Sequence, residues 1–234
     1  MDEIEWWEFE SGADLAAQAA GDIGFVIESA IEAHGGARVA IAAADVPEAL
    51  LAALLKIKSI DWAKVTLIPT DDRLVPLADG KSAYRRLQGL FEAVGAEIVS
   101  LVDEAALDDV RAAGRLADAR LSLLNWPLDL ACLAVGDDGH TAAMLPGPDL
   151  DAALSGPRER RAVGLRPEGG DPRVTLTAAA FSSARAVMLV LGGSQARQVL
   201  EQAIKEGPLS SKPVGRLLSS IDAPVDIFWS AGQA

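Results

Sequence analysis

The chain predicts an α/β fold, a doubly wound, mostly parallel sheet with helices on both faces, with residues 1–234 forming a single domain. Three observations carry that expectation. Short apolar runs rich in Val, Ile and Leu recur along the chain, and segments of helical periodicity separate them. The stretches between those runs are long enough for crossover helices rather than hairpins. No repeat and no linker rich in Pro, Gly or Ser divides the 234 residues, a length that one core of this class accommodates.

The elements follow in order. Residues 15–34 set small and apolar side chains at helical spacing, and Gly35 and Gly36 supply the stop. Residues 37–44, ARVAIAAA, read as a strand leading through Asp45 into the helix VPEALLAALLK, with Pro47 suited to its early turn. Residues 64–68 form a strand, followed by the charged loop TDDRLVP. A helix over 82–94, a strand over 96–102 and a helix over 108–124 lead to the central strand, 128–135. Residues 147–172, rich in Pro, Gly and Arg, read as a long loop, a candidate lid or substrate wall. Strands over 174–177 and 185–191, helices over 194–205 and 213–220, and the strand PVDIFWS complete the sheet.

Composition narrows the function. The formal charge is −13, from 34 acidic and 21 basic residues, which argues against a grip on nucleic acid or on an anionic membrane surface. A small anion is still compatible, because a local group of arginines outvotes the global field inside a cleft. No stretch approaches the roughly 20 apolar residues of a membrane span, and the start, MDEIEWWEFESG, is acidic where a secretory signal is basic. A cytoplasmic monomer is the expectation. The one cysteine, Cys132, lies in an apolar strand and reads as buried.

The segment ACLAVGDDGHTAAMLPG holds the chemistry. An apolar strand runs into Gly136, Asp137, Asp138 and Gly139, and His140 stands where a helix is expected to begin. Open α/β sheets bind ligands at such strand ends. A turn at Gly139 brings Asp138 and His140 to one pocket, the carboxylate holding the ring or a water. An imidazole, with an ordinary pKa of about 6.5, is suited to taking a proton from water. The other reading makes Asp138 a helix cap with His140 in the first turn. The second histidine, His34, closes a helix beside glycine and reads as a cap.

Other polar groups at strand ends are Asp71, Asp72 and Arg73 in TDDRLVP, a site rim or a surface turn, and Arg173 in DPRVTLT. A guanidinium there suits phosphate or carboxylate. Arg197 lies in the first turns of a helix behind Gly192 and Gly193, itself a candidate anion seat. G-x-G-x-x-G, the P-loop pattern and G-x-S-x-G are absent, so the fold is Rossmann-like without a dinucleotide fingerprint. His140 has no second histidine or cysteine at metal-ligand spacing, and no metal or cofactor is expected.

VGDDGHTAAMLPG resembles the G-x-D-G-H-T-A-S-L-F-P-G signature of 6-phosphogluconolactonases, TDDRLVP their D-E-R-x-V-P segment, and DPRVTLT their R-I-T-L-T segment, in the family's order. The resemblance implies a cofactor-free hydrolase that opens 6-phospho-D-glucono-1,5-lactone to the acid, a small anionic sugar lactone being its partner. It implies His140 as general base with Asp138 as its partner, and Arg73 and Arg173 as cations facing the substrate. Asp45, Asp71, Asp72, Arg197, Gly136 and Gly139 complete the expected binding residues. The chain departs from the family at the phosphate side. S-G-G-S-T-P after the first strand becomes AAADVP, S-N-Y becomes SAY, and G-x-x-K becomes GSQA with Arg197 one place on. A plain sugar lactone as substrate, a non-catalytic sugar-phosphate binder, and an amino-sugar phosphate isomerase-deaminase are the alternative readings. Deaminases of the same fold resemble H-I-A-F-N-E-P-G where this chain has HTAAMLPG.

Overall fold

The structure, a computed structural model, describes residues 4–145 and 147–232. Residues 1–3 of the acidic start and Pro146 of the HTAAMLPG segment lie outside the described residues.

Strand β1 (Ile4–Phe9), which periodicity does not pick out, precedes helix α1 (Gly12–His34). Ser11 caps α1 by accepting from the Asp14 N–H, and Gly35, at φ +86°, ends it with an N–H to the Ile31 carbonyl. Its buried stripe, Leu15, Ala19, Ile23, Ile27 and Ala30, repeats at three to four residues. Then come β2 (Ala37–Ile41), α2 (Glu48–Leu54), β3 (Val65–Pro69), β4 (Asp71–Arg73), α3 (Ala83–Phe91) and β5 (Glu97–Ile98). The second half holds α4 (Val110–Leu121), β6 (Leu130–Ala134), α5 (Leu150–Leu154), β7 (Ala162–Leu165) and β8 (Arg173–Leu176). It closes with α6 (Ala178–Ser182), β9 (Val187–Gly192), α7 (Ser194–Glu206), α8 (Pro213–Leu218) and β10 (Val225–Ser230).

Seven strands form a parallel sheet in the order β1-β10-β9-β6-β2-β3-β5. Alternation along each strand feeds two cores. Val39, Ile41, Leu130 and Cys132 face one, and Ala40, Ala131 and Leu133 face the other. From β2 the chain winds outward to β3 and β5, then returns to lay β6 on the other side of β2. That reversal opens a crevice at the carboxyl ends of β2 and β6, where doubly wound sheets take ligands.

The doubly wound parallel sheet is as expected, but the strand expected over 96–102 is confined to Glu97–Ile98, and three further local expectations differ. TDDR is not a loop, because β4 pairs antiparallel with β8, which pairs with β7 in a separate three-stranded sheet. Residues 147–172 are not an uninterrupted loop, since they hold α5 and β7. No helix begins at His140: Gly139 and Ala142 adopt positive φ, +83° and +49°, and Thr141 bridges to Met144, a path that helical dihedrals cannot follow.

Candidate active site

His140 sits in a tight turn at the end of β6. The Gly136 N–H donates to the His140 carbonyl at 3.0 Å, and the Gly139 N–H donates to the Gly136 carbonyl at 2.9 Å. The left-handed φ of Gly139 makes the turn possible, and α8 secures it through the Val214 N–H on the Gly139 carbonyl, 3.1 Å. A Cβ at Gly136 would fall on the imidazole, so only glycine lets the ring lie against the chain there.

Asp138 Oδ1 accepts the His140 backbone N–H at 3.0 Å and the ring Nδ1–H at 2.5 Å. A carboxylate at Nδ1 fixes that nitrogen as the protonated one and leaves Nε2 with its lone pair. Partial burial pushes the Asp138 carboxyl up, but the hydrogen bonds and charge of His140 outweigh it and hold the group below the ordinary carboxylate range. Asp138 is therefore an anion, and it caps no helix.

His140 opens into a cavity of ≈ 410 Å³ walled by Ala44, Asp45 and Pro47 after β2, the β6 turn with Gly136, and Val190 to Gly192 at the end of β9. Asp45 is exposed, and Pro47, with no side-chain cap bond, occupies the N-cap position of α2. A larger cavity, ≈ 630 Å³, lies between α4 and β7; it holds none of the residues expected to act and no imidazole.

The three-residue strand β4 divides its side chains between two tasks. Asp72 is buried and accepts from the Ala83 N–H (2.7 Å), the Tyr84 N–H (3.0 Å) and the Ser82 hydroxyl (3.0 Å), anchoring the start of α3. Burial pushes its carboxyl up, against those hydrogen bonds. On the opposite face lie Asp71, Arg73 and their cross-strand neighbours Arg173 and Thr175. Arg173 Nη1 donates to Asp71 Oδ2 at 2.5 Å, with side-chain exposures of 16% and 2%. Burial pushes the Asp71 carboxyl up, Arg173 pulls it down, and the nearby charge of Asp45 adds to the rise. Arg73, paired directly with Arg173 in register, has its Nε 3.6 Å from Asp171.

Arg197 is held elsewhere. Its Nη2 donates to Glu8 at 2.8 Å and its Nε to Glu201 at 2.9 Å, while the guanidinium lies 4.4 Å from the ring centre of Trp229. It faces the β1 edge of the sheet, and neighbouring Ala196 is buried; Arg197, like Arg73 and Arg173, is not in the wall of the His140 cavity. His34 donates or accepts at 2.9 Å with Asp129, at the opposite end of the strands from His140.

No motif singles out Arg86, yet its Nη1 donates to the Ala44 carbonyl at 3.3 Å. Its only sequence signal is its spacing, four residues after the Ser82 cap of an amphipathic helix.

The family described as glucosamine-6-phosphate isomerases/6-phosphogluconolactonase matches residues 10–226. A 6-phosphogluconolactonase of Rhizobium meliloti (strain 1021) is 32% identical over 225 residues, covering 95% of this chain and 97% of the relative. One of Mesorhizobium japonicum is 33% identical, covering 96% and 94%. The crystal structure of a 6-phosphogluconolactonase from Shewanella baltica OS155 superposes with a TM-score of 0.90 at 28% identity, covering 98% of both chains.

Proposed function

The chain belongs to the family of glucosamine-6-phosphate isomerases and 6-phosphogluconolactonases, and from that premise we propose how its residues open a lactone. The activity is hydrolysis of 6-phospho-D-glucono-1,5-lactone to 6-phospho-D-gluconate. His140 Nε2 takes a proton from water, and the oxygen attacks the C1 carbonyl. Charge developing on the carbonyl oxygen is met by Arg73 or a backbone N–H of the Gly136–Gly139 turn. The tetrahedral intermediate then expels the ring oxygen, which takes the proton back from His140 and leaves the open-chain acid. Asp138 holds the tautomer and balances the imidazolium formed between the two transfers. Asp71 and Asp72 act through their partners, the first orienting Arg173 and the second anchoring α3.

One observation carries this reading: a histidine at a strand end has Nδ1 tied to an anion and Nε2 unengaged by that tie, and it opens into a cavity. His140→Ala is expected to lower kcat by about 10²- to 10⁴-fold while KM changes little. Folded His140→Ala protein that kept wild-type turnover above the spontaneous rate would overturn it.

Arg173, half-hidden beside Asp71, is the cation we assign to the phosphate. The product is a substrate for the pentose-phosphate and Entner–Doudoroff routes, and a sugar phosphate, which does not cross a bilayer unaided, supports a cytoplasmic setting. The −13 charge supports the absence of a nucleic-acid partner. No helix among the described residues is long and apolar enough to cross a membrane. The exposed large apolar residues Trp7, Phe25, Val94, Leu116, Leu123 and Leu209 are spread over several elements, with only Leu116 and Leu123 at one helix and its end, which supports a monomer. A sedimentation mass near twice 24.4 kDa would count against that.

A further inference from the structure

The loop after β2 poses a problem of charge. The substrate carries a phosphate dianion, the stretch Ala42, Ala43, Ala44, Asp45, Val46 and Pro47 has neither glycine nor hydroxyl, and Asp45 adds a like charge to the cavity wall. A cation reaches this loop from α3. Arg86 Nη1 donates to the carbonyl of Ala44, which with Asp45 lines the His140 cavity. That bond uses one of the five N–H donors of a guanidinium. Among the described residues Arg86 forms no salt bridge, whereas Arg73, Arg173 and Arg197 each meet a carboxylate.

The position of Arg86 is built into the fold. Asp72 clamps the first turn of α3 to β4 through Ser82, Ala83 and Tyr84. Ser82 then caps the Arg85 N–H with its hydroxyl and receives the Arg86 N–H on its carbonyl, 3.2 Å. One turn into a helix fixed in this way, the half-buried Arg86 side chain spans to the β2–α2 loop. A guanidinium at that place brings charged donors to a loop that has no hydroxyl side chain.

We propose that Arg86 is a specificity-determining residue that binds the phosphate of the substrate at the Ala44–Asp45 side of the cavity. The assignment rests on the lactonase reading above. It adds a cation from α3 to Arg173 from β8, so the dianion is gripped from two elements.

The test compares wild type with Arg86→Gln and Arg86→Lys on 6-phosphogluconolactone and on plain glucono-1,5-lactone, with inorganic phosphate as a competing probe. Arg86→Gln is expected to raise KM for the phosphorylated lactone about tenfold or more and leave kcat within about twofold. KM for the plain lactone stays where it was, and inhibition by inorganic phosphate weakens in step. Arg86→Lys gives a smaller rise confined to the phosphorylated substrate, and it decides the matter should the Gln variant not fold. An unchanged KM on both lactones overturns the proposal. Equal rises on both do so too, since Arg86 would then be propping the loop. A wild type that turns over neither lactone instead overturns the hydrolase reading itself.

Discussion

One oxygen, Asp138 Oδ1, accepts both the backbone N–H and the ring Nδ1–H of His140. The aspartate thus fixes the turn and the tautomer with a single atom, and neither can be altered without the other. General-base chemistry needs both, since the ring must be aimed as well as ionisable.

Replacing Asp138 with Asn tests that coupling. The amide still reaches the ring, but it can present its NH₂ group to Nδ1 and stabilise the wrong tautomer. The imidazolium formed in the reaction also loses its counter-charge. We expect kcat to fall by about 10²-fold or more with KM nearly unchanged, measured by lactone consumption corrected for spontaneous opening. A rise in KM at constant kcat would assign Asp138 to substrate binding instead.

Asp45 faces the same cavity without capping α2. Its charge opposes a phosphate dianion equally in the ground and transition states. Asp45→Ser is therefore expected to lower KM for the phosphorylated lactone severalfold and to leave kcat alone. An unchanged KM would show that the carboxylate is screened from the substrate.

Asp71 and Arg173 form a pair with very unequal tolerance to loss. Arg173→Gln leaves the buried Asp71 carboxylate without its cation, a change that costs roughly 3–5 kcal/mol in buried pairs. Adding Asp71→Asn removes the stranded charge. Denaturant midpoints should drop sharply for the single variant and recover in the double one, while the higher KM for phosphorylated lactone persists in both. A double variant as unstable as the single would mean that the loss lies in packing.

Burial pushes the Cys132 thiol from an ordinary 9.0 up to about 12. The folded chain keeps that proton at a pH where the unfolded chain has released it. Stability then falls as pH rises above the unfolded value, by about 1.4 kcal/mol per unit. Between about pH 8 and about pH 10, wild type should lose about 1.4 kcal/mol more than Cys132→Ala in denaturant unfolding. Identical pH slopes would show that the thiol escapes the core before the chain unfolds.

What could be read beforehand divides by the range of the interactions. Most of the parallel sheet was legible because its inner strands carry their own apolar runs, and Gly35 marks the end of α1. The DDGH turn was legible because its four residues make their own bonds. The small sheet was not, since β4 is three residues long and its partner lies about a hundred residues away. Asp129 illustrates the same limit. It is buried at the far end of the strands, with His34 Nε2 at 2.9 Å, the Arg38 N–H at 2.9 Å and Arg185 Nε at 3.3 Å, yet no local pattern marks it. Arg86 escaped notice for a related reason: its place over the first loop follows from Asp72 gripping α3, not from any spacing along the chain.

The contact between Asp71 and Arg173 spans 102 residues, and it has a meaning for how an active molecule comes into being. Neighbouring units such as α1 with β2 assemble by short loop closures, whereas the β4–β8 pairing waits on one of the longest closures in the chain. A refolding chain should therefore regain most of its helical signal while the Asp71–Arg173 pair is still unmade. If Arg173 holds the phosphate as proposed, competence to bind a dianion is among the last properties acquired, and a partly refolded molecule with much of its sheet in place is still catalytically silent.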